Sequence, residues 1–152
     1  MTDDKRYYTD EALIPVPPGF VDRSTNVLEW TTPDGERLAL VIHRQVLEGP
    51  GSGPELIPAF DALVERETKD YAVRFAGLRK EREDDETPDV AMPVRRRAFR
   101  FRHEEKVIYQ CQAFVLLGRR VLVLTGAAAA RHREAVDQMV DGAVAGLKVW
   151  DE

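Results

Sequence analysis

Cysteine is almost missing from this chain: Cys111 is the only one in 152 residues. A lone thiol excludes any internal disulfide and is consistent with a reducing compartment. Histidine is scarce as well. His43 falls in an expected strand, His103 in a turn and His132 at the start of a helix, so no pair has metal-ligand spacing. Phosphate loops are lacking too. Gly49-Pro-Gly-Ser-Gly53 resembles one only superficially, because Pro50 and Pro54 offer no amide and the lysine is missing. Apolar runs fall far short of the ~18–20 residues that a membrane span needs. The opening Met1-Thr-Asp-Asp is acidic and unlike a secretory signal. A coherent basic face is absent: the net charge is −5, and the densest basic run, Arg95-Arg96-Arg97, lies among acidic clusters. Phosphate backbones need such a face, so no nucleic-acid partner is expected. The acidic run Glu81 to Asp89 lacks the alternating oxygen ligands of a calcium loop. These absences predict a cytoplasmic protein without cofactor, metal or direct membrane insertion.

What is present is a single domain, residues 1–152, with the 43% hydrophobic and 32% charged content of a soluble globular protein. Tyr7 to Val16 reads as a first or edge strand, closed by Pro17-Pro-Gly19. Asn26–Thr31 and Arg37–Val46 flank Thr32-Pro-Asp-Gly35, where Pro presets φ and Gly supplies the positive φ of a hairpin turn. A Gly- and Pro-rich stretch, 48–54, follows, and it reads as a plain surface loop more readily than as a lid. Leu56, Phe60, Leu63, Val64, Glu67 and Tyr71 recur at helical spacing, giving a helix over 54–73. Phe75 to Asp84 reads as a charged, edge-like strand. Val94 to Arg102 reads as a strand with Phe99 and Phe101 on one face and Arg96, Arg100 and Arg102 on the other. A tail helix over 129–149 carries the stripe Ala135, Val136, Met139, Val140, Ala143, Val144 and Leu147. Gly142 and Gly146 either weaken it or let another backbone approach, and Trp150 pins its end. The order predicts an α+β fold: an antiparallel sheet with helices packed mainly on one face and the other face open and concave.

The strand from Val107 to Leu117 is unusual because both its faces are apolar. Val107, Tyr109, Cys111, Ala113 and Val115 point one way, and Ile108, Gln110, Gln112, Phe114 and Leu116 the other. A sheet with one wet face alternates apolar with polar residues. With two helices for cover, the excess apolar surface suggests a partner. Leaving a buried amide unpaired costs about 1–3 kcal/mol. Gln110 and Gln112 therefore either face water or a loop, or line a concave surface and bond what binds there. A helix with small residues suits such a surface, because its backbone comes close.

The segment Pro17-Pro-Gly-Phe-Val-Asp-Arg-Ser-Thr-Asn-Val-Leu28 resembles the opening of the Eag chaperones of type VI secretion systems, members of the DcrB-like domain family. The resemblance runs on through Phe60-Asp-Ala-Leu63, Tyr109-Gln-Cys-Gln-Ala113 and the final helix, covering nearly the whole chain. It implies a PsbP-like fold, a homodimer and no enzymatic activity. It also implies a partner: the N-terminal transmembrane helices of PAAR-containing type VI effectors, kept soluble until they are loaded on the spike. Thr25 and Val27 match positions lining the family's groove, and Gln112 and Gln110 match its polar groove residues. Leu28 and Trp30, opposite Val27, read as core, and Glu29 on the groove face is unusual.

Two other readings stand beside this one. The sheet face of the same fold can serve an adaptor that meets a soluble partner. A small-molecule or catalytic role would draw on His43, Cys111 or Arg100, and His43 and Cys111 could converge because both lie on strands. A dimer interface is expected either on the strand Arg37–Val46 or on the final helix.

Overall fold

The computed structural model describes residues 6–8, 13–15, 18, 25–75, 77–86 and 92–148. Strands β1 (Arg6–Tyr8) and β2 (Leu13–Pro15) form a small antiparallel pair, so the expected single strand over 7–16 is instead a short hairpin. The main sheet comprises β3 (Asn26–Thr31), β4 (Arg37–Val46), β5 (Arg79–Glu86), β6 (Val94–His103), β7 (Lys106–Leu117) and β8 (Arg120–Ala129). Its order is β3-β4-β8-β7-β6-β5, antiparallel throughout. Helix α1 (Ile57–Arg74) follows a short 3-10 turn at Gly53–Leu56, and α2 (Arg133–Ala145) follows another at Ala130–His132. The α+β class and the antiparallel sheet are as the sequence predicts.

The helices are placed differently from expectation, for they lie on opposite faces of the sheet. Tyr109, Cys111, Ala113 and Val115 of β7 pack with Val136, Val140 and Val144 of α2. Phe114 and Leu116 of the same strand pack with Phe60, Leu63 and Val64 of α1. The doubly apolar strand β7 thus has a helix for each face. That accounts for most of its missing alternation without a partner. Where α2 sits lowest, it rests on Gly126 of β8: a Cβ there would stand 2.8 Å from Met139 and 2.9 Å from Val140. Of the two roles open to Gly142, close approach to another backbone is not the one taken, because a Cβ there would meet nothing within 4 Å.

Charge pairs also tie the two layers to the sheet. Arg95, Arg96 and Arg97 are only 7%, 6% and 3% exposed, and successive residues of a strand face opposite ways. Arg95 donates from Nε to Asp61 of α1 at 2.8 Å. Arg96 donates to Asp141 of α2, also at 2.8 Å. Arg97 turns back to the α1 side, donating to Asp85 of β5 at 2.7 Å, with Glu65 of α1 at 3.8 Å. Arg82 of β5 reaches Asp141 at 3.1 Å and Asp137 at 3.7 Å. What reads in the sequence as a basic run is a set of buried ties between strands and helices.

Several boundaries move. The helix expected over 129–149 begins at Arg133, because Ala129 still pairs with Ile108 in the sheet, and it ends at Gly146. The charged strand starts at Arg79, at the sheet edge, with a register shift between Lys80 and Arg82. Trp150 and residues 19–24 lie outside the described residues. The Gly-rich loop is tied down rather than poised as a lid. Arg119 donates to the carbonyls of Gly51 and Leu47 at 2.9 and 3.0 Å, and the Gly53 amide donates to Gly118. The Thr32–Gly35 turn forms as expected, with the Gly35 amide bonded to the Thr32 carbonyl and its φ at 86°. Strand β4 is internal to the sheet, so its backbone edge offers no dimer interface; the edges are β3 and β5.

Two measurements check this packing. Replacing Gly126 by Val overpacks the seat of α2, at a cost of about 1–3 kcal/mol; thermal melting should fall by several degrees, and an unchanged midpoint would mean α2 does not rest there. Burial, reinforced by Asp137, pushes the Cys111 thiol up to about 12. Its reaction with a thiol reagent at pH 8 should be slow in the folded protein, accelerate as pH rises, and become fast in denaturant. Rapid labelling of the native protein at pH 8 would contradict the burial.

Candidate functional site

Strand register brings three of the four groove residues inferred from sequence, Val27, Gln110 and Gln112, to one face, the α1 face. Val27 pairs with Val41, Val41 with Thr125, Thr125 with Gln112, and Gln112 with Arg97, giving a row across five strands. The next row runs Glu29, Ala39, Ala127, Gln110 and Phe99. Thr25 lies two residues before Val27, just ahead of β3, and is exposed. Helix α1 crosses this face obliquely. Its first turns lie over Phe114, Leu116, Val121 and Val123, and Tyr71 near its end stacks on Phe99 at 6.0 Å between ring centroids. Phe75 then stacks on Phe101 at 4.2 Å. The side chains of β3, β4 and β8 beside the helix are left partly open: Ala39, Val41, Thr125 and Ala127 are half-buried, and Val27 is 56% exposed.

The two glutamines differ in state. Gln112, 2% exposed, donates from Nε2 to Thr125 Oγ1 at 3.2 Å and to the Tyr71 hydroxyl at 3.4 Å. Its bonding is internal, so α1 and β8 hold it. Gln110, 7% exposed, has no hydrogen-bond partner for its Nε2. Neither faces water, contrary to the plainer of the two sequence readings. Gln110 has Ala127 and Phe99 as its cross-strand neighbours. An unpaired buried amide donor costs about 1–3 kcal/mol unless something accepts from it.

Leu28 and Trp30, expected in the core, are 58% and 57% exposed. Their pairing with Leu40 and Leu38 puts them on the α2 face, as their alternation with Val27 requires. They stay exposed because β3 is an edge strand, and α2 packs on β7 and β8 with only slight reach to β4. The sequence shows the alternation but not which strand ends the sheet. Glu29, opposite Ala39, lies 3.9 Å from Arg37, a solvent-facing pair at the border of the patch.

The catalytic alternatives find little geometry here. Cys111 faces α2, whereas His43 pairs with Val123 on the α1 side, so the two lie on opposite faces and cannot form a nucleophile pair. Burial lowers the His43 pKa, and Glu67 partly opposes this. Arg100 has its guanidinium 3.3 Å from Glu81. Among the described residues, no group of three or more His, Cys, Asp or Glu side chains is placed to hold a metal ion. No helix among them is long and apolar enough to cross a membrane.

Comparison with known proteins gives the fold a lineage. No curated protein matches the chain. Among solved structures, the protein of unknown function PA94 from Pseudomonas aeruginosa superposes with a TM-score of 0.77 at 16% identity, covering 98% of this chain and 99% of its own. At that identity the likeness speaks for the fold. LpqN of Mycobacterium tuberculosis, described as involved in cell envelope biogenesis, shares 11% identity over 84% of each chain, with a TM-score of 0.48. The family model for DcrB matches residues 11–146, and the chain belongs to the DcrB family.

Proposed function

We propose that this chain is a non-enzymatic binding protein that shields an apolar helix of a client on the α1 face of its sheet. The observation that carries the reading is Gln110: a buried amide donor without a partner among the described residues, in a row that runs through the small side chains of Ala127 and Ala39 to Glu29, beside the row of exposed Val27. Ala39, Thr125 and Ala127 let a helix backbone come close. Once there, its apolar side chains cover Val27 and Val41, and a shift of the side chains that bury Gln110 lets a client acceptor reach its amide. Each apolar Å² removed from water contributes roughly 25 cal/mol, with no covalent step.

Membership of the DcrB family and the resemblance to Eag chaperones support a more specific form of this reading. The client would then be the N-terminal transmembrane helices of a PAAR-containing type VI effector, held soluble in the cytoplasm before loading. The working unit in this form is a homodimer. Edge strand β3, with Val27 on one face and Leu28 and Trp30 on the other, favours such pairing because it leaves apolar residues uncovered. The adaptor reading is favoured by one observation, the Glu29–Arg37 pair at the border, which suits a soluble partner with polar groups.

Co-expression with the N-terminal region of a PAAR effector encoded nearby tests the chaperone form. The fragment should copurify as a soluble complex, and Val27→Asp should abolish that. Gln110→Leu separates binding from folding. In the free protein it removes an unsatisfied donor, so the melting temperature should hold or rise. In the complex it removes a bond, weakening affinity about 10-fold, the equivalent of about 1.4 kcal/mol. A fragment that is soluble without this chain, or a Gln110→Leu protein that binds as tightly as wild type, would tell against the reading.

A further inference from the structure

A second feature lies on the other face of the sheet, at the far corner from β3, and owes nothing to client binding. Arg79 of β5 pairs directly with Arg100 of β6, so two guanidinium groups emerge side by side on the α2 face. Arg102, two residues further along β6, points the same way and pairs with Val107. Together with Gly77 and Phe101 these residues line an open depression of about 190 Å³. Like charges placed directly opposite each other on neighbouring strands repel. The arginines nearest to them on the same two strands, Arg82, Arg95, Arg96 and Arg97, are matched closely by carboxylates. At this corner the balance fails.

Glu81, bulged from β5, is the carboxylate at hand, and it is shared. It stands 3.3 Å from Arg100 and 3.7 Å from Arg133 at the start of α2. Among the described residues no ion pair reaches Arg79 or Arg102. Among the described residues, the corner therefore holds two positive charges that no ion pair meets, in a protein whose net charge is −5. Two arginines beside a third, around a depression, match a dianion with several acceptor oxygens better than a single carboxylate. Arg forks recognise phosphate oxygens in pairs, and a phosphate group carries about −1.5 to −2 charges at neutral pH.

We propose that the depression lined by Arg79, Arg100 and Arg102 is a binding site for a phosphate group. The ligand sits on the α2 face at the β5–β6 end of the sheet, and its negative charge relieves the Arg79–Arg100 repulsion. The site is independent of the client reading and stands if that reading fails.

Titration of the full chain with inorganic phosphate, followed by backbone amide chemical shifts, tests the site. Saturable shifts should concentrate at residues 77–80 and 100–107 and should weaken as salt is raised. The double variant Arg79→Gln/Arg102→Gln should bind at least 10-fold more weakly. Both side chains are exposed, so the variant should fold, and in phosphate-free buffer its melting temperature should equal or exceed that of wild type. Added phosphate should then raise the midpoint of wild type alone. Two further arms name the source of the group. Sedimentation with vesicles containing phosphatidic acid, but not with pure phosphatidylcholine, would assign it to a lipid headgroup; phosphate binding without sedimentation would assign it to a soluble phosphate. Absence of saturable shifts, or equal binding by the double variant, would overturn the proposal.

Discussion

Three consecutive arginines on an inner strand govern this architecture. Arg95 and Arg97 face α1, and Arg96 faces α2, so one tripeptide ties both layers to the sheet through Asp61, Glu65 and Asp141. Taking a guanidinium out of water is costly unless its partner is close and well aligned. The partners here come from both helices and from β5, so the charges are satisfied only when every layer is in place. A single acid, Asp141, serves both Arg82 and Arg96, so its removal would weaken two ties at once. The arrangement thus couples helix docking to strand pairing, with the apolar clusters filling the space these ties enclose.

That coupling leaves the α1 face unevenly dressed. The helix is held at its start over β7 and β8 and drawn across to β6 by the rings of Tyr71 and Phe75. It reaches the end of β4, where Gln45 donates to Glu67, and leaves β3 and the start of β4 uncovered. The open patch with Val27 and Val41, bordered by buried Gln110, is therefore a consequence of where α1 is anchored. Its chemistry, small side chains around one amide donor, is unlike that of the phosphate corner on the opposite face. The two surfaces are separated by the thickness of the sheet and by its width.

Much of this was legible before any coordinates. The hairpin of β3 and β4 was readable because Pro33 and Gly35 have turn chemistry of their own, and strand boundaries followed from it. The shared face of Val27, Gln110 and Gln112 could be read in part from alternation within each strand. Alternation says nothing of strand order, however, and so Leu28 and Trp30 looked like core when they lie at an edge. The split of the helices between two faces was hidden for a related reason. An amphipathic stripe reports that a helix buries one side, and nothing in Phe60 or Val136 says which face of β7 receives it. Buried arginines were the hardest to foresee. A basic run and an acidic run look solvated in sequence, and only the fold brings Asp61 or Asp141 to within 2.8 Å.

The two edges of the main sheet are unequal, and that inequality bears on how many copies can join. Strand β5 carries a charged side chain at each of its eight positions and a register shift, which discourages any further strand from adding there. Strand β3 carries Val27, Leu28 and Trp30 beside a single charge, Glu29, and has no register shift against β4. A sheet open at one side only behaves like a chain terminator. When β3 meets β3 of a second molecule about a two-fold axis, both open sides are used up, and the blocked β5 strands face outward at either end. In the proposed homodimer growth would then stop at a closed pair, and the charge on β5 would limit assembly from the far side of the molecule.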